Sequence, residues 1–312
     1  MKKLAVLSAL ALSILLGSSK SYAAPPEPPA PLVSDQTARN RGAYPRIRSQ
    51  PDGATDVFFE SGGHDMRWDV LHAIEYVTPA GAIPYTKVGN ASGDYLVSEQ
   101  LLYNFVTNTA VPGPSDRMSI HRDVMVWNGG GALAYTNVVT GAGGSVAGWL
   151  GRDPYDPSTW EGWVAYTFYN GSWPSIGLHH IPTDTTLPEP YPSGDDRHPN
   201  LSMGKLVYES RSWELAWQYM GQPWTEKQVP LASWCTRYSR PKIGGRWGQL
   251  VAYQAECGGG RYLFVANIDN GNLYFVDAVG GGDVGFDIQL DRMAYVDGAD
   301  VIHLIRFDEL SM

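Results

Sequence analysis

The chain repeats itself, and the repeat limits what it can fold into. Strand-like runs end in Tyr166, Tyr208, Tyr253 and Tyr295, which are 42, 45 and 42 positions apart, while Pro157, Pro199 and Pro241 are spaced by 42 twice. A unit of roughly 40–45 residues holding about four short strands is the size of a propeller blade. One such sheet cannot cover both of its own faces, so neighbouring copies must cover them. The runs have strand character. In 213–219, Trp213, Leu215, Trp217 and Tyr219 alternate with smaller or polar residues, a period of two. The run 261–268 is apolar on both faces, as suits a strand buried between two sheets. Asn270-Gly271 then supplies a hairpin turn. No amphipathic helix is evident.

The expected fold is therefore all-β, a β-propeller. Six blades are counted, anchored near Phe59, Trp127, Tyr166, Tyr208, Tyr253 and Tyr295. The gap between Phe59 and Trp127 is too long for one blade. Either blade one carries an insertion, or Leu101 to Phe105 belongs to a seventh. The final run 301–307 reads as a closing strand, with the N-terminal segment available to pair beside it. A two-sheet sandwich is the competing architecture.

The stretch Asp195 to Ser210 (DDRHPNLSMGKLVYES) resembles the repeat of TolB-like propellers, also called PD40 or WD40-like: a polar lead, a proline, a Ser-x-x-Gly turn, then a strand ending in an aromatic and serine. The stretch 237–254 is similar but lacks the Ser-x-x-Gly. The resemblance covers the last half of the chain well and the first half poorly. It implies an exported propeller that binds proteins, peptides or glycans, with polysaccharide lyases among the relatives. It implies no catalytic residues.

Residues 1–23 have the form of a secretory signal: Met1-Lys2-Lys3, an apolar run from Leu4 to Gly17, and Ser21-Tyr22-Ala23 before the cut. That apolar run falls short of the roughly 20 residues of a membrane span, and no other stretch is long and apolar enough. Residues 24–40, opening on a Pro-rich run, read as an extended tether, and 41–312 as the propeller domain. A periplasmic or secreted location follows. Cys235 and Cys257 are the chain's two cysteines, and in an exported protein they are expected to form a disulfide.

Charge narrows the partners. The chain carries 23 basic and 32 acidic residues, a net −9, and loss of the signal takes it near −12. This balance argues against nucleic acid and requires a local basic cleft for any anionic ligand. A glycan or an envelope or extracellular protein fits better.

Enzyme signatures such as GxSxG, HExxH or a phosphate-binding loop are absent. Propeller sites assemble from separate blades, however, so candidates remain. If the protein is an enzyme, His179, His180, His121 and Arg122 are the nominated catalytic residues. One of the His179-His180 pair, His121 and His64 are expected to meet at a channel mouth, with Arg122 or Arg197 neutralising a uronate carboxylate. The competing reading is structural histidines, most of all for His198 in the repeat lead. The pairs Asp153/Asp156 and Asp195/Asp196 suit calcium or a glycosidase, or simply turns. Loop aromatics Trp160, Trp173 and Trp224, with His64, are the expected ligand contacts, since indole faces stack on sugars; strand tryptophans such as Trp163 and Trp217 are assigned to packing. The reading is an exported propeller that binds a glycan or protein. The alternative is a lyase-type enzyme on the same fold, with no cofactor beyond a calcium ion.

Overall fold

The computed structural model describes residues 27–312 apart from 50–54, 79–89, 93, 99–100, 108, 115–117, 147–153, 172, 188–194, 212–213, 223–225, 280–284 and 310. The signal segment 1–23, Trp149, Trp213, Trp224 and Asp153 lie outside the described residues.

The described strands form seven antiparallel sheets of four. Their innermost strands are Ala43–Ser49, Asn90–Ser92, Met118–His121, Tyr155–Trp160, Arg197–Ser202, Arg237–Gly244 and Phe286–Gln289, numbered here as blades 1 to 7. These seven strands pack on one another in a closed circle around a central channel. Of the two options for the long gap between Phe59 and Trp127, the seventh blade holds: Leu101–Asn104 is the third strand of a blade of its own. The other six anchors, Phe59 through Tyr295, all sit on second strands. Blade 2 has a short second strand, Tyr95–Ser98, that ends without an aromatic. Its buried rings, Tyr103 and Phe105, come from the third strand and the turn after it.

Alternation along a strand assigns side chains to blade interfaces. In blade 6, Leu250, Ala252, Leu263 and Val265 pack toward blades 7 and 1. Val251, Tyr253, Phe264 and Ala266 pack toward blade 5. Burying each large side chain is worth roughly 1.5–3 kcal/mol, so these strands are held from both faces. Tyr253 stacks on Phe264 with centroids 5.6 Å apart.

The N-terminal segment closes the circle. Leu32–Arg41 pairs antiparallel with Val301–Phe307 as the outermost strand of blade 7. The tether expected over 24–40 is corrected accordingly. Even the prolines dock: the Pro28 carbonyl accepts from Phe275 N–H at 2.9 Å, and Ala30 N–H donates to Phe275 O at 2.8 Å. Proline lacks only a donor, so an extended Pro-rich segment can still add to a sheet edge. Glu27 accepts from the Trp234 indole at 2.8 Å.

A disulfide joins Cys235 to Cys257 across 22 residues. It staples the start of blade 6's first strand to the end of its second. Among the described residues no helix is long and apolar enough to cross a membrane.

Candidate functional site at the channel mouth

The 42-residue spacing of prolines has a structural cause. In four blades the innermost strand bulges over an X-Pro pair: Tyr44-Pro45, Asp156-Pro157, His198-Pro199 and Arg240-Pro241. The ladder register slips between Ala43 and Arg46, Tyr155 and Ser158, Arg197 and Asn200, and Ser239 and Lys242. A bulge leaves one residue out of the ladder, so a proline there forfeits no hydrogen bond. The residue before it takes left-handed backbone: φ is 54° at Tyr44, 50° at Asp156, 51° at His198 and 54° at Arg240. That conformation costs an L-residue about 1–2 kcal/mol. Blade 7 has Gly285 at this place, where a Cβ would come within 2.8 Å of Tyr44 Cα. Bulges re-aim side chains, and here the re-aimed residues stand around one end of the channel.

Three of them form a network. His198 Nδ1 lies 3.1 Å from Asp156 Oδ2, and His198 Nε2 lies 4.0 Å from Glu209 Oε1. Glu209 Oε1 also accepts the Arg240 N–H at 2.7 Å. Burial is the largest influence on His198 and lowers its pKa, but the hydrogen bond to Asp156 and the charges of Glu209 and Asp156 outweigh it, so the net shift is upward. Beside this network Tyr155 and Tyr169 lie ring to ring at 5.7 Å. Burial, then the hydrogen bond with Tyr169, push the Tyr155 phenol far up. Asp156, Asp195 and Asp196 of the two sequence pairs lie at this end: Asp156 sits in the network, and Asp195 pairs with Arg197 at 2.5 Å. The Pro174 carbonyl accepts from Asp195 N–H and Asp196 N–H at 2.8 and 3.0 Å. Next to Pro174 stands Trp173, 61% exposed.

One step deeper the channel wall changes character around its circumference. On one arc, Ser119 Oγ, Ser158 Oγ and Asn200 Oδ1 accept the N–H groups of Thr159, Leu201 and Ile243 of the following blades at 3.2, 2.9 and 2.9 Å. On the other arc the matching residues are Lys242, Asp287 and Arg46. Asp287 Oδ1 accepts from Lys242 Nζ at 3.0 Å, and Oδ2 accepts from Ile47 N–H at 3.1 Å.

The nominated histidines are divided between the two ends of the molecule. His121 and Trp160 end the first strands of blades 3 and 4, Arg122 lies in the turn after His121, and His180 ends blade 4's third strand. These residues lie at the end opposite the mouth. There His121 Nδ1 accepts the Glu161 N–H at 3.1 Å and faces Trp160 at 5.9 Å. Arg122 pairs with Glu161 at 2.7 Å, and its N–H donates to Ser92 Oγ at 2.8 Å. His180 packs on Trp163 at 4.5 Å and bonds Thr183 Oγ1 at 2.8 Å. His179 is buried, with Nδ1 2.9 Å from Thr186 Oγ1. Burial lowers His121 to about 4 and also lowers His179. His64 lies exposed in the turn between the second and third strands of blade 1, at the mouth end. The expected meeting of His64 with His121 and the pair therefore does not form, because the strands that carry them finish at opposite ends of the blades.

Sequence reading passed over Glu209 and Arg240 as site residues and assigned His198 to a structural role. The available signal was the residue before each proline of the period, a series to which Tyr44-Pro45 also belongs. Among the described residues no three His, Cys, Asp or Glu side chains come together to hold a metal. A separate polar pocket of about 380 Å³, bordered by Ser210, Arg211, Glu214 and Glu226, opens in blade 5. It shares none of the mouth residues.

No family model matches the chain, and no curated protein does. Solved structures do. U3-55K superposes with a TM-score of 0.58 at 13% identity, over 89% of this chain and 100% of that one. An oligogalacturonate lyase in complex with manganese gives 0.55 at 13%, over 91% and 99%. TolB from Acinetobacter baumannii gives 0.49 at 10%, over 85% and 79%. At such identities the likeness establishes a propeller fold.

Proposed function

We propose that this chain is an exported binding module that holds a glycan at the channel mouth of blades 4 to 6. The observation that carries this reading is the bulge network Asp156–His198–Glu209, set beside the Tyr155/Tyr169 pair and the Arg197 fork. Carboxylates accept from sugar hydroxyls, arginine donates to ring and hydroxyl oxygens, and aromatic rings cover apolar sugar faces. The disulfide and the signal-like N-terminus support export to the periplasm or the medium.

A lyase on this scaffold has weaker support. Base catalysis near neutrality wants a group whose pKa lies near the working pH. Tyr155 is pushed far up and His121 down to about 4, while His179 is buried and already hydrogen-bonded. A glycan array probed with the mature protein, run beside a pull-down of envelope proteins, tests the proposal. Saturable glycan binding that Trp173→Ala or Tyr169→Ala weakens is expected. A blank array with a specific protein captured replaces the glycan with a protein partner.

A further inference from the structure

Exposed aliphatic side chains recur at one place in consecutive blades. The turn between the third and fourth strands lies at the end opposite the mouth, and it presents Leu71 in blade 1, Val106 in blade 2 and Val139 in blade 3. These are 73%, 68% and 64% exposed. Val33 of blade 7, 56% exposed, stands where that blade's third strand ends, next to the Leu32–Phe307 pair. Single apolar residues scattered on a surface need no explanation, but recurrence at one position of four neighbouring blades does. Equivalent positions in a ring of blades share one height along the channel axis, so the four side chains can meet one flat surface together.

The turn does not demand an aliphatic tip. In each case an Asn or Asp ends the third strand, the next residue packs inward, and the one after it is the tip. Asn104 Oδ1 accepts the N–H groups of Val106 and Thr107 at 2.9 and 3.0 Å, and Asn137 Oδ1 those of Val139 and Thr140 at 3.0 and 2.9 Å. Asp69 Oδ1 accepts the His72 N–H at 3.1 Å. Val70, Phe105 and Val138 pack inward. Blade 6 repeats the turn: Asn267 Oδ1 accepts the N–H groups of Asp269 and Asn270 at 3.0 and 3.3 Å, and Ile268 packs inward. Its tip is Asp269, so the same backbone accepts a charge where blades 1 to 3 carry Leu or Val.

The surroundings are uncharged as well. In a chain with 32 acidic and 23 basic residues, stretches 100–115 and 124–151 contain none. They supply the third and fourth strands of blades 2 and 3. Beside Leu71, His72 and Asp69 pair at 2.7 Å. Near Val33, Asp35 meets His303 at 3.2 Å and Asp308 accepts from Ser311 Oγ at 2.6 Å. An uncharged rim on an acidic protein matches a surface of no net charge. Val106 and Val139 can enter lipid without carrying an ion out of water, and their N–H groups are already satisfied by asparagine.

We infer that the rim of blades 7, 1, 2 and 3 rests on a net-neutral phospholipid bilayer, with these side chains inserted at the headgroup boundary and the mouth facing away. This is attachment to a surface and not a span. It does not depend on what the mouth holds.

Cosedimentation of the full mature chain with phosphatidylcholine vesicles tests this, beside sedimentation velocity without vesicles. Saturable partition that survives high salt is expected. Val106→Asp and Val139→Asp should each lower the partition coefficient about tenfold, the loss of one buried valine. Val77→Asp, at a 55% exposed valine on the mouth end of blade 1's fourth strand, should leave it unchanged. Should an aspartate variant fail to fold, Val106→Ser and Val139→Ser read the same loss. No partition, or undiminished partition by the folded variants, overturns the inference. So does binding confined to phosphatidylglycerol vesicles and abolished by salt. A dimer that Val139→Asp splits, with no vesicle binding, also overturns it and assigns the rim to a second copy of the chain.

Discussion

The two ends of blades 3 to 5 carry similar residue types and use them differently. At the turn end, His121, Arg122, Glu161, Trp160 and His180 form a histidine, arginine, acid and aromatic cluster. At the mouth, His198, Arg197, Asp156, Glu209, Tyr155 and Tyr169 form another. In the first, the polar groups stitch adjacent blades: a ring nitrogen takes a backbone N–H, and Arg122 both closes an exposed ion pair and anchors its own N–H on Ser92. In the second, the histidine is held by side chains from two blades and stands on left-handed backbone. Left-handed backbone occurs at both ends, at Arg122 and Glu161 (φ 53° and 48°) as at Asp156 and His198. What differs is its setting: at the turn end it serves tight hairpin turns whose polar groups meet local partners, while at the mouth it lies in bulges that re-aim charged residues toward the channel.

The largest expected contrast is between two carboxylates. Asp287→Ala on the buried channel arc removes the answering charge of Lys242 and Arg46. It should destabilise the fold by about 3–5 kcal/mol, the usual cost of stranding a buried charge. Glu161→Ala at the turn end breaks a pair whose side chains are 37% and 70% exposed and should cost no more than about 1 kcal/mol. Urea unfolding measures both, and equal losses would erase the distinction. Next is the staple at the mouth end of blade 6. Reducing Cys235–Cys257, which closes a span of 22 residues, should cost about 3 kcal/mol by chain entropy. The melting temperature with and without reductant reads it.

Smaller effects belong to the neutral arc. Asn200→Ala, which orphans the Ile243 N–H, should cost about 1–3 kcal/mol. The smallest is a pair of pH dependences of opposite sign. His198 is raised above the ordinary value of about 6.5. Its contribution is complete below that value and is lost as pH climbs through the folded pKa. His121 is lowered to about 4. Its contribution is complete above about 6.5 and is lost as pH falls from there toward 4. Stability measured against pH should therefore lose its alkaline-side decline in His198→Asn and part of its acid-side decline in His121→Gln. Asn is chosen because it tolerates left-handed backbone.

Much of the fold was legible because blade packing is written in large residues. Tyr166, Tyr208 and Tyr253 are visible in the sequence as periodic aromatics and are fully buried on second strands. Blade 2 was legible only as an alternative to an insertion, because its aromatics, Tyr103 and Phe105, fall later in the unit than those of its neighbours. The pairing of the N-terminal segment beside 301–307 was legible, but the docking of Pro28 to Ala30 on Phe275 was not, because proline composition says nothing about which sheet edge is open. The site was less legible. Pro157, Pro199 and Pro241 announced a recurring backbone event, but the residue before each is Asp, His or Arg, with no shared chemistry. What unites them is the bulge, and a bulge depends on which partner strand the residue meets. His121 and His180 attracted notice by type alone, and their strands carried them to the other end.

The central claim is that ligand is held at the mouth and not at the turn end, and binding by paired single variants tests it most directly. With a glycan that the wild-type protein binds on an array, affinity is measured for His198→Asn and His121→Gln, both confirmed as folded. The account predicts a loss of about tenfold or more for His198→Asn, the loss of one charged contact, and wild-type affinity for His121→Gln. Full affinity in His198→Asn with loss in His121→Gln would contradict it and move the site to the opposite end of the propeller.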